Sequence, residues 1–268
     1  MKPIITLLSD FGANDPYVAE MKGVILSICP DAVLIDVSHG VEKFNVAMGA
    51  FLLASAVKFF PKGSIHVGVV DPGVGGPRKP IIIEVECGYL IGPDNGLLAL
   101  AAEREGVKNI YEIKLGRYTL KEISSTFHGR DVFAPVAAYL ARGVPPNAIG
   151  VKVEDYTKPS IFRSISRRGW AESTILHVDS FGNLITGLSW EDADEAGFSS
   201  ASKFQVLVDG RVFKALRAST YSDVEEGELA LIPYGSHGFT ELAVNKGSAA
   251  NLLKVRIGDK LIIVEVSS

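Results

Sequence analysis

The stretch Ile65-His-Val-Gly-Val-Val-Asp71-Pro-Gly-Val-Gly-Gly-Pro-Arg78 is the part of the chain from which its fold and chemistry are best interpreted. Its apolar, β-branched first half predicts a buried strand over Ile65 to Val70. The three glycines and two prolines that follow the acidic residue predict a rigid loop, in which the backbone can approach a ligand closely. Ligands of open α/β sheets bind beyond the carboxyl ends of the strands, so we expect function at Asp71 and Arg78. A carboxylate that merely forms a turn is the alternative interpretation.

The first 150 residues around this stretch alternate short apolar runs with longer helical patterns, which is typical of a largely parallel sheet covered by helices. Further strands are predicted at Ile4 to Ser9 and Val33 to Val37, and a hairpin at Ile81 to Val85 and Tyr89 to Gly92. Helices are predicted at Tyr17 to Ile28, Asn45 to Phe59, Gly96 to Glu105 and Asp131 to Ala141. We expect the first three strands to form the centre of the sheet.

The second half of the chain has a different pattern. Tyr156 to Arg168, which includes Arg163, is interpreted as a linker, and we place the domain boundary near residue 165, giving domains 1–165 and 166–268. Short predicted strands follow, two of them joined by the hairpin dipeptide Asp209-Gly210. They are Ser173 to Val178, Phe204 to Val208, Arg211 to Leu216, Leu229 to Ile232 and Leu261 to Val266. This half is predicted to be a small β-barrel or sandwich.

Composition narrows the class of protein. The chain is 47% hydrophobic and 22% charged, as in ordinary globular proteins, and its net charge of −4 argues against a nucleic-acid partner. We find no uninterrupted apolar run long enough to span a membrane. The apolar run near the start reaches Asp10 too soon for a signal peptide, so we expect a cytoplasmic protein. Cys29 and Cys87 lack metal-ligand spacing and are interpreted as structural thiols.

Several polar residues outside the opening stretch are candidates for a site. Asp10 and Asp36 lie at or within predicted strands, and His128 precedes a predicted helix, where its ring can face a cleft. In the second half, Asp179-Ser-Phe-Gly-Asn183 combines an acid, an aromatic ring and an amide, which suit a nucleoside. A helix cap for His128 and an Asx turn for Asp179 are the structural alternatives.

Other residues and patterns carry less information about chemistry. Tyr221 is either a lid or a surface residue, and Ser236 and Glu241 offer further contacts from nearby predicted strands. We interpret His39 and His66 as structural. The glycine spacing fits neither a dinucleotide fingerprint nor a phosphate-binding P-loop, and no Cys/His cluster suggests zinc, so we expect no cofactor and no metal.

Five motifs, taken together and in order, resemble one family. They are Ser-Asp-Phe-Gly at 9–12, Val-Asp-Pro-Gly-Val-Gly at 70–75, Gly-Pro-Asp-Asn-Gly-Leu-Leu at 92–98, Thr-Phe-His-Gly-Arg-Asp at 126–131 and Asp-Ser-Phe-Gly-Asn at 179–183. The chain resembles the S-adenosylmethionine (SAM) hydroxide adenosyltransferases, which are related to fluorinases and chlorinases. The resemblance implies an α/β N-terminal domain and a C-terminal β-barrel. It also implies a homotrimer whose active sites lie between the N-terminal domain of one subunit and the C-terminal domain of the next.

The resemblance also implies an activity and roles for residues. SAM would be hydrolysed to adenosine and L-methionine, with Asp71, Arg78 and His128 presenting water or hydroxide to C5′. The implied substrate-binding residues are Asp10 at the ribose hydroxyls, Phe44 beside the ribose, Asp179 and Asn183 at the sugar and adenine, and Tyr221, Ser236, Glu241 and Val244 in the remaining pocket. Fluorinases carry an arginine at the position of Val244, which leaves open how the methionine carboxylate is held.

Two other functions compete with hydrolysis. A chlorinase-like enzyme would use halide as the nucleophile, and the small Gly129 is compatible with such a pocket. The negative charge of Asp71 near the reacting carbon argues against it, because it would repel an incoming halide. A protein that binds adenosine or SAM without turnover is the second alternative. The residues alone do not decide whether Asp71 or His128 accepts the proton from water.

Overall fold

The structure, a computed structural model, describes residues 2–159 and 164–266. The chain divides into two compact units, Met1–Pro159 and Ser160–Ser268. Arg163 of the predicted linker lies outside the described residues, and the boundary near residue 165 stays a prediction.

The first unit is built on a sheet of seven strands among the described residues. They are β1 (Ile4–Ser9), β2 (Val33–Ser38), β3 (Ser64–Val69), β4 (Pro80–Val85), β5 (Gly88–Pro93), β6 (Val107–Ile113) and β7 (Gly150–Val153), in the order β2-β1-β3-β5-β4-β6-β7. The pairings make β1, β2, β3, β5 and β6 parallel to one another, with β4 and β7 running against them. The predicted mostly parallel sheet is therefore confirmed.

Helices cover both faces of this sheet, as predicted. They are α1 (Tyr17–Ile28), α2 (Val46–Val57), α3 (Ala99–Glu105), α4 (Ala134–Ala141) and the short α5 (Pro146–Ile149). Met21 and Ile25 of α1 pack with Ile5 and Leu7 of β1 in one buried cluster. On the opposite face, α2 packs so closely that a Cβ at Gly49 would lie 2.7 Å from Leu97 Cδ1. Because both faces are covered, nearly every residue of β1 and β3 is buried, and most of these residues are apolar.

The sequence-based prediction was wrong about the centre of the sheet. Strand β2 is an edge strand, paired with β1 alone, and Val33 and Ile35 are 39% and 37% exposed. An apolar run does not reveal whether a strand has one neighbour or two, since that depends on where the following crossover returns. Strands β6 and β7 were not predicted at all.

The second unit is a closed barrel of seven strands, which confirms the predicted barrel. Its strands are β9 (Trp170–Val178), β10 (Leu184–Ser189), β11 (Lys203–Val208), β12 (Arg211–Arg217), β13 (Leu229–Ile232), β14 (Phe239–Val244) and β15 (Lys260–Glu265). Pairing of β10 with β9 closes the ring. The short strand β8 (Ile165–Arg167) pairs with β9 from outside, so the linker prediction was wrong at its C-terminal end.

The barrel is filled by inward-facing apolar side chains and closed off by short helices. Phe198 and Phe204 pack edge to face in its core, with ring centroids 5.0 Å apart. Two helices belong to this unit, α6 (Trp190–Glu195) and α7 (Ala249–Leu253). Asp209 and Gly210 both have positive φ between β11 and β12, as the predicted hairpin turn requires. Within the described part of the chain, no helix is both long enough and apolar enough to cross a membrane.

Candidate functional site

The loop from Asp71 to Arg78 is wound so that its two charged ends meet. Two turns follow β3, in which Val74 N donates to Asp71 O at 3.2 Å and Gly76 N to Gly73 O at 3.0 Å. Gly75 has φ +75°, and a Cβ there would lie 2.3 Å from Ser125 O, so this position requires glycine. The predicted rigid loop is thus present, and it packs on the segment that precedes His128.

Asp71 and Arg78 form a partly buried ion pair. Arg78 Nε donates to Asp71 Oδ1 and Oδ2 at 3.0 and 2.9 Å, and Nη2 donates to Oδ2 at 2.5 Å. The two side chains are only 5% and 10% exposed, Asp71 being the more buried. Such a forked contact fixes the orientation of the carboxylate, because the guanidinium plane and the carboxylate plane must align.

Arg78 also contacts His128. Its Nη2 lies 2.8 Å from His128 Nδ1, and because a guanidinium can only donate, Nδ1 must be the acceptor. The ring is then neutral with its proton on Nε2. Burial, followed by the positive charge of Arg78, lowers the pKa of His128, while Asp71 and Asp131 oppose that shift. The three predicted catalytic side chains are therefore joined in one hydrogen-bonded cluster centred on Arg78.

The loop that carries His128 is held by a second set of polar contacts. Asp131 is fully buried, and its carboxylate accepts hydrogen bonds from Ser124 N at 2.8 Å and Arg130 Nε at 2.6 Å. Arg130 reaches on to Glu20 of α1, with Nη1 to Oε2 at 2.7 Å. The π-helical turn Gly129–Phe133 begins directly after His128 and leads into α4. Single π-helical turns of this kind are frequent at functional sites.

Asp10 and Phe44 are also in contact, as two neighbouring predicted residues. Asp10 follows the last residue of β1 and is 7% exposed, and its Oδ2 accepts a hydrogen bond from Phe44 N at 2.9 Å. Lys43 Nζ donates to the main-chain oxygen of Asp10 at 2.6 Å. These bonds hold Phe44 at φ +67°, a conformation that costs free energy for a non-glycine residue, with its ring 68% exposed.

A pocket of about 420 Å³ joins these groups within the first unit. Asp10, Phe44, Asp71 and His128 all line it, whereas Arg78, which contacts Asp71 and His128, is not among the lining residues. Three aromatic residues that we did not predict also line it, namely Phe11, Tyr17 and Phe127. Their ring centroids are 5.2 to 5.6 Å apart, in tilted and edge-to-face arrangements. The aromatic residues beside Asp10 and His128 in the quoted motifs were the available signal.

A second pocket, of about 740 Å³, lies in the barrel unit. The predicted residues Asp179, Asn183, Tyr221 and Val244 line it. Asp179 Oδ1 accepts hydrogen bonds from the main-chain nitrogens of Phe181 and Asn183, both at 2.9 Å, so the Asx turn that we considered is present. Asn183 Nδ2 donates to Asp179 Oδ2 at 2.9 Å, which leaves the Asn183 amide oxygen facing away from that contact.

Two predicted residues, Glu241 and Ser236, are not among those that line this pocket. Tyr221 OH donates to Glu241 Oε1 at 2.8 Å, so Glu241 adjoins the pocket through Tyr221. Burial raises the pKa of Glu241, and burial together with that hydrogen bond raises the pKa of Tyr221 to about 12. Ser236 is exposed on the turn between β13 and β14, outside the residues that line the pocket. Lys246 and Ser248 line it without having been predicted.

Within residues 2–159 and 164–266, no three His, Cys, Asp or Glu side chains are grouped so that they could share a metal ion. Asp36, the candidate carboxylate within the second predicted strand, lies on β2, where its Oδ2 is 2.6 Å from Lys22 Nζ.

The chain is similar to known proteins over nearly its whole length. A family model described as the SAM hydroxide adenosyltransferase N-terminal domain matches residues 5–150, and the corresponding C-terminal domain model matches residues 173–262. A protein of Methanocaldococcus jannaschii named (R)-S-adenosyl-L-methionine hydrolase is 36% identical, over 97% of this chain and 95% of its own length. A Thermus thermophilus protein of the same name is 36% identical, with 96% and 98% covered.

The chain is also similar to a more distant enzyme and to a solved crystal structure. A protein of Actinoplanes named fluorinase is 28% identical, over 96% of this chain and 95% of its own. The crystal structure of an uncharacterized conserved protein from Thermotoga maritima superimposes with a TM-score of 0.90 at 37% identity, covering 97% of this chain and all of that one.

Proposed function

Because the chain belongs to the SAM hydroxide adenosyltransferase family, we propose that it hydrolyses S-adenosyl-L-methionine to adenosine and L-methionine. The observation that carries this proposal is the Asp71–Arg78–His128 cluster, in which Arg78 contacts both partners and two of the three side chains line a pocket. The names of the curated relatives specify the R configuration at sulfur, so we propose (R)-SAM as the preferred epimer.

The reaction is a displacement at C5′. A water oxygen forms a bond to C5′ while the C5′–S bond breaks, the electron pair leaves on sulfur, and the sulfonium departs as the neutral thioether of methionine. Since the leaving group is good, the enzyme mainly has to hold water in line with the breaking bond and to shield it from bulk solvent. The balance requires water as the second substrate and releases one proton.

We assign the proton acceptor to Asp71. His128 Nδ1 already accepts a hydrogen bond from Arg78, so the neutral ring offers an Nε2–H donor that can orient the water oxygen. Asp71 lines the pocket as an acceptor. The water proton becomes acidic as the C–O bond forms, so its transfer to the carboxylate late in the displacement is favourable.

The remaining residues are proposed to bind the nucleoside and the amino acid. Asp10 takes the ribose hydroxyls beside Phe44, and Asp179 and Asn183 contact the sugar and the adenine, for which the Asn183 amide oxygen is a suitable acceptor of the amino group. Tyr221, Glu241 and Val244 complete the barrel-side pocket. Ser236 is exposed in the single chain, so a role for it requires contact from elsewhere.

Halide transfer is the less well supported function for the same pocket. A Cβ at Gly129 would lie 3.2 Å from Met21 Sδ and 3.3 Å from Phe127 Cε2, so packing alone accounts for a glycine there. The carboxylate of Asp71 at the pocket wall opposes an incoming anion. We therefore propose water, not halide, as the nucleophile.

The test is product analysis in ¹⁸O-labelled water. Purified protein is incubated with (R)-SAM and with (S)-SAM in halide-free buffer, and then in buffer with excess chloride. We expect adenosine and methionine in equal amounts, faster from (R)-SAM, with ¹⁸O at the 5′ oxygen. Absence of adenosine from both epimers, or 5′-chloroadenosine as the main product in chloride, contradicts the proposal.

We propose from the family resemblance that the protein forms a homotrimer, in which neighbouring subunits contribute to each active site. Light scattering tests the trimer. Mixing inactive Asp71→Ala protein with inactive Asp179→Ala protein tests the shared site, because subunit exchange should then restore part of the activity. Two variants that stay inactive after verified exchange contradict a shared site.

A further inference from the structure

His39 contacts both ends of the turn that carries Asp10. Its side chain is 13% exposed, and its Nδ1 lies 2.7 Å from Ser9 Oγ, at the end of β1. Its main-chain oxygen accepts a hydrogen bond from Gly12 N at 2.8 Å. Asp10 and Phe11 are the two residues between these attachment points, and both line the pocket of the first unit.

The other side of the His39 ring is anchored to the sheet and to a helix. Nε2 lies 3.1 Å from Asp36 Oδ1 on β2, and Asp36 Oδ2 accepts from Lys22 Nζ of α1 at 2.6 Å. The Lys22–Asp36 hydrogen bond joins two charged groups and is therefore stronger than a neutral one, whereas Nε2 of His39 only lies close to the Asp36 carboxylate. A continuous series of polar contacts thus runs from α1 through β2 to Ser9, the residue before Asp10.

We infer that His39 is a positioning residue, which fixes the Asp10 carboxylate for binding the ribose of the substrate. The inference rests on the role proposed above for Asp10, and it revises the sequence-based reading of His39 as merely structural. We expect the effect of His39 to appear at Asp10. The Asp10 carboxylate accepts a hydrogen bond from Phe44 N at 2.9 Å, so it also fixes the position of the aromatic residue Phe44. If Ser9 and Gly12 were held less firmly, Asp10 and Phe44 would both lose their fixed positions.

This role predicts a separation of binding from chemistry. Asp71, Arg78 and His128 lie on other loops, so their arrangement should survive the loss of the His39 ring. Removing the ring should raise KM for SAM and Kd for adenosine about tenfold, and leave kcat within about twofold. General loosening of the fold would instead lower kcat and stability together.

Three substitutions of His39 distinguish the contact of Nδ1 with Ser9 from the contact of Nε2 with Asp36. His39→Asn places a polar atom where Nδ1 stood and should keep most of the affinity, because the Ser9 contact remains possible. His39→Gln reaches toward Asp36 and loses Ser9, and His39→Leu loses both, so both should bind weakly. Ser9→Ala removes the His39 contact and also the hydrogen bond from Phe11 N to Ser9 Oγ at 3.3 Å, so it should raise KM at least as much as His39→Leu. Adding His39→Leu to Ser9→Ala should raise KM little further, because the His39–Ser9 contact is already lost.

A control and a second measurement keep the inference testable without turnover. His66→Leu replaces another buried histidine, on β3, and should leave KM unchanged. Hydrogen exchange at the Phe44 amide, which is bonded to Asp10 Oδ2, should accelerate in His39→Leu and Ser9→Ala but not in His66→Leu. If His39→Leu fails to fold, Ser9→Ala decides.

The outcomes distinguish this inference from the proposed function. Unchanged KM, Kd and Phe44 exchange in His39→Leu overturn the inference while hydrolysis stands, and so does an equal rise in KM for His66→Leu. If the wild type binds adenosine but forms none from SAM, the proposed function fails, and Kd and exchange still judge His39. A wild type that neither binds adenosine nor forms it from SAM overturns both.

Discussion

Arg78 donates a hydrogen bond from Nη2 to His128 Nδ1 at 2.8 Å, while the same guanidinium grips the Asp71 carboxylate. This contact settles which nitrogen of His128 can face the pocket with a proton. It also makes the arginine, rather than either partner, the centre of the cluster.

Replacing Arg78 by lysine should separate the two partners. A single ammonium cannot hold both carboxylate oxygens and the imidazole in one plane, so we expect Arg78→Lys to lower kcat about 100-fold. Adenosine affinity should change little, because Arg78 does not line the pocket. Arg142→Lys, at an exposed position, is the matched control. Wild-type kcat in Arg78→Lys would show that the forked contact has no part in turnover.

Replacing Asp71 should lower kcat more than replacing His128. If Asp71 accepts the proton, Asp71→Asn should lower kcat about 1,000-fold or more, because the amide keeps the shape but is no base. His128→Gln retains a donor near the Nε2 position and should lose only about tenfold. Single-turnover rates with saturating SAM make the measurement. The reverse order of the two losses would assign the proton to His128.

The pH dependence of kcat/KM, which reports ionisable groups of the free enzyme, should reflect the protonation of His128. Because its pKa is lowered from the ordinary value near 6.5, the neutral ring persists to a pH below that value, and activity should fall as the pH drops through the lowered pKa. The protonated ring repels Arg78 and offers no acceptor to it. His128→Gln should remove this acid limb. An acid limb centred above 6.5, or one that survives in His128→Gln, contradicts the assignment.

His66 should make the protein sensitive to acid through its stability. The side chain is 1% exposed, its Nδ1 contacts Thr6 Oγ1 at 2.9 Å, and burial lowers its pKa to about 4. The unfolded chain binds a proton near pH 6.5, so stability falls as the pH drops from 6.5 toward 4, by about 3 kcal/mol in total. Urea unfolding of wild type and His66→Leu at pH 7 and 4.5 tests this. Equal losses in both proteins would exclude His66 as the cause.

Gly75 should be intolerant of any side chain. Its positive φ and the main-chain oxygen of Ser125, 2.3 Å from a built Cβ, mean that Gly75→Ala must move the loop between Asp71 and Arg78. Gly143→Ala is the control, since Gly143 has a similar φ of +85° with nothing near its Cβ. The control should lose about 1 kcal/mol of stability and no activity, from φ alone. Gly75→Ala should also lower kcat at least about tenfold, and normal kcat there would contradict a rigid loop.

Much of the first unit could be predicted because its local signals agree with the fold. The apolar run Ile4–Ser9 and the helical spacing of α1 coincide with the observed bounds. The edge position of β2 could not be predicted, because it depends on how crossovers order the strands and not on the strand's own residues. Strand β6, with an exposed lysine and a half-buried asparagine among its residues, has too weak a pattern to be recognised.

The candidate site divides in the same way. The residue types at Asp71, Arg78 and His128 and the family motifs around them were evident in the sequence, since each motif is local. The tautomer of His128, the part of His39 and the aromatic group beside Asp10 were not evident, because these contacts join residues 30 to 50 positions apart or more. The sequence by itself determined the two folds, the family and the chemical groups available. Only the tertiary structure decided which donor meets which acceptor, because hydrogen bonds depend on distances and angles that only the packed chain creates.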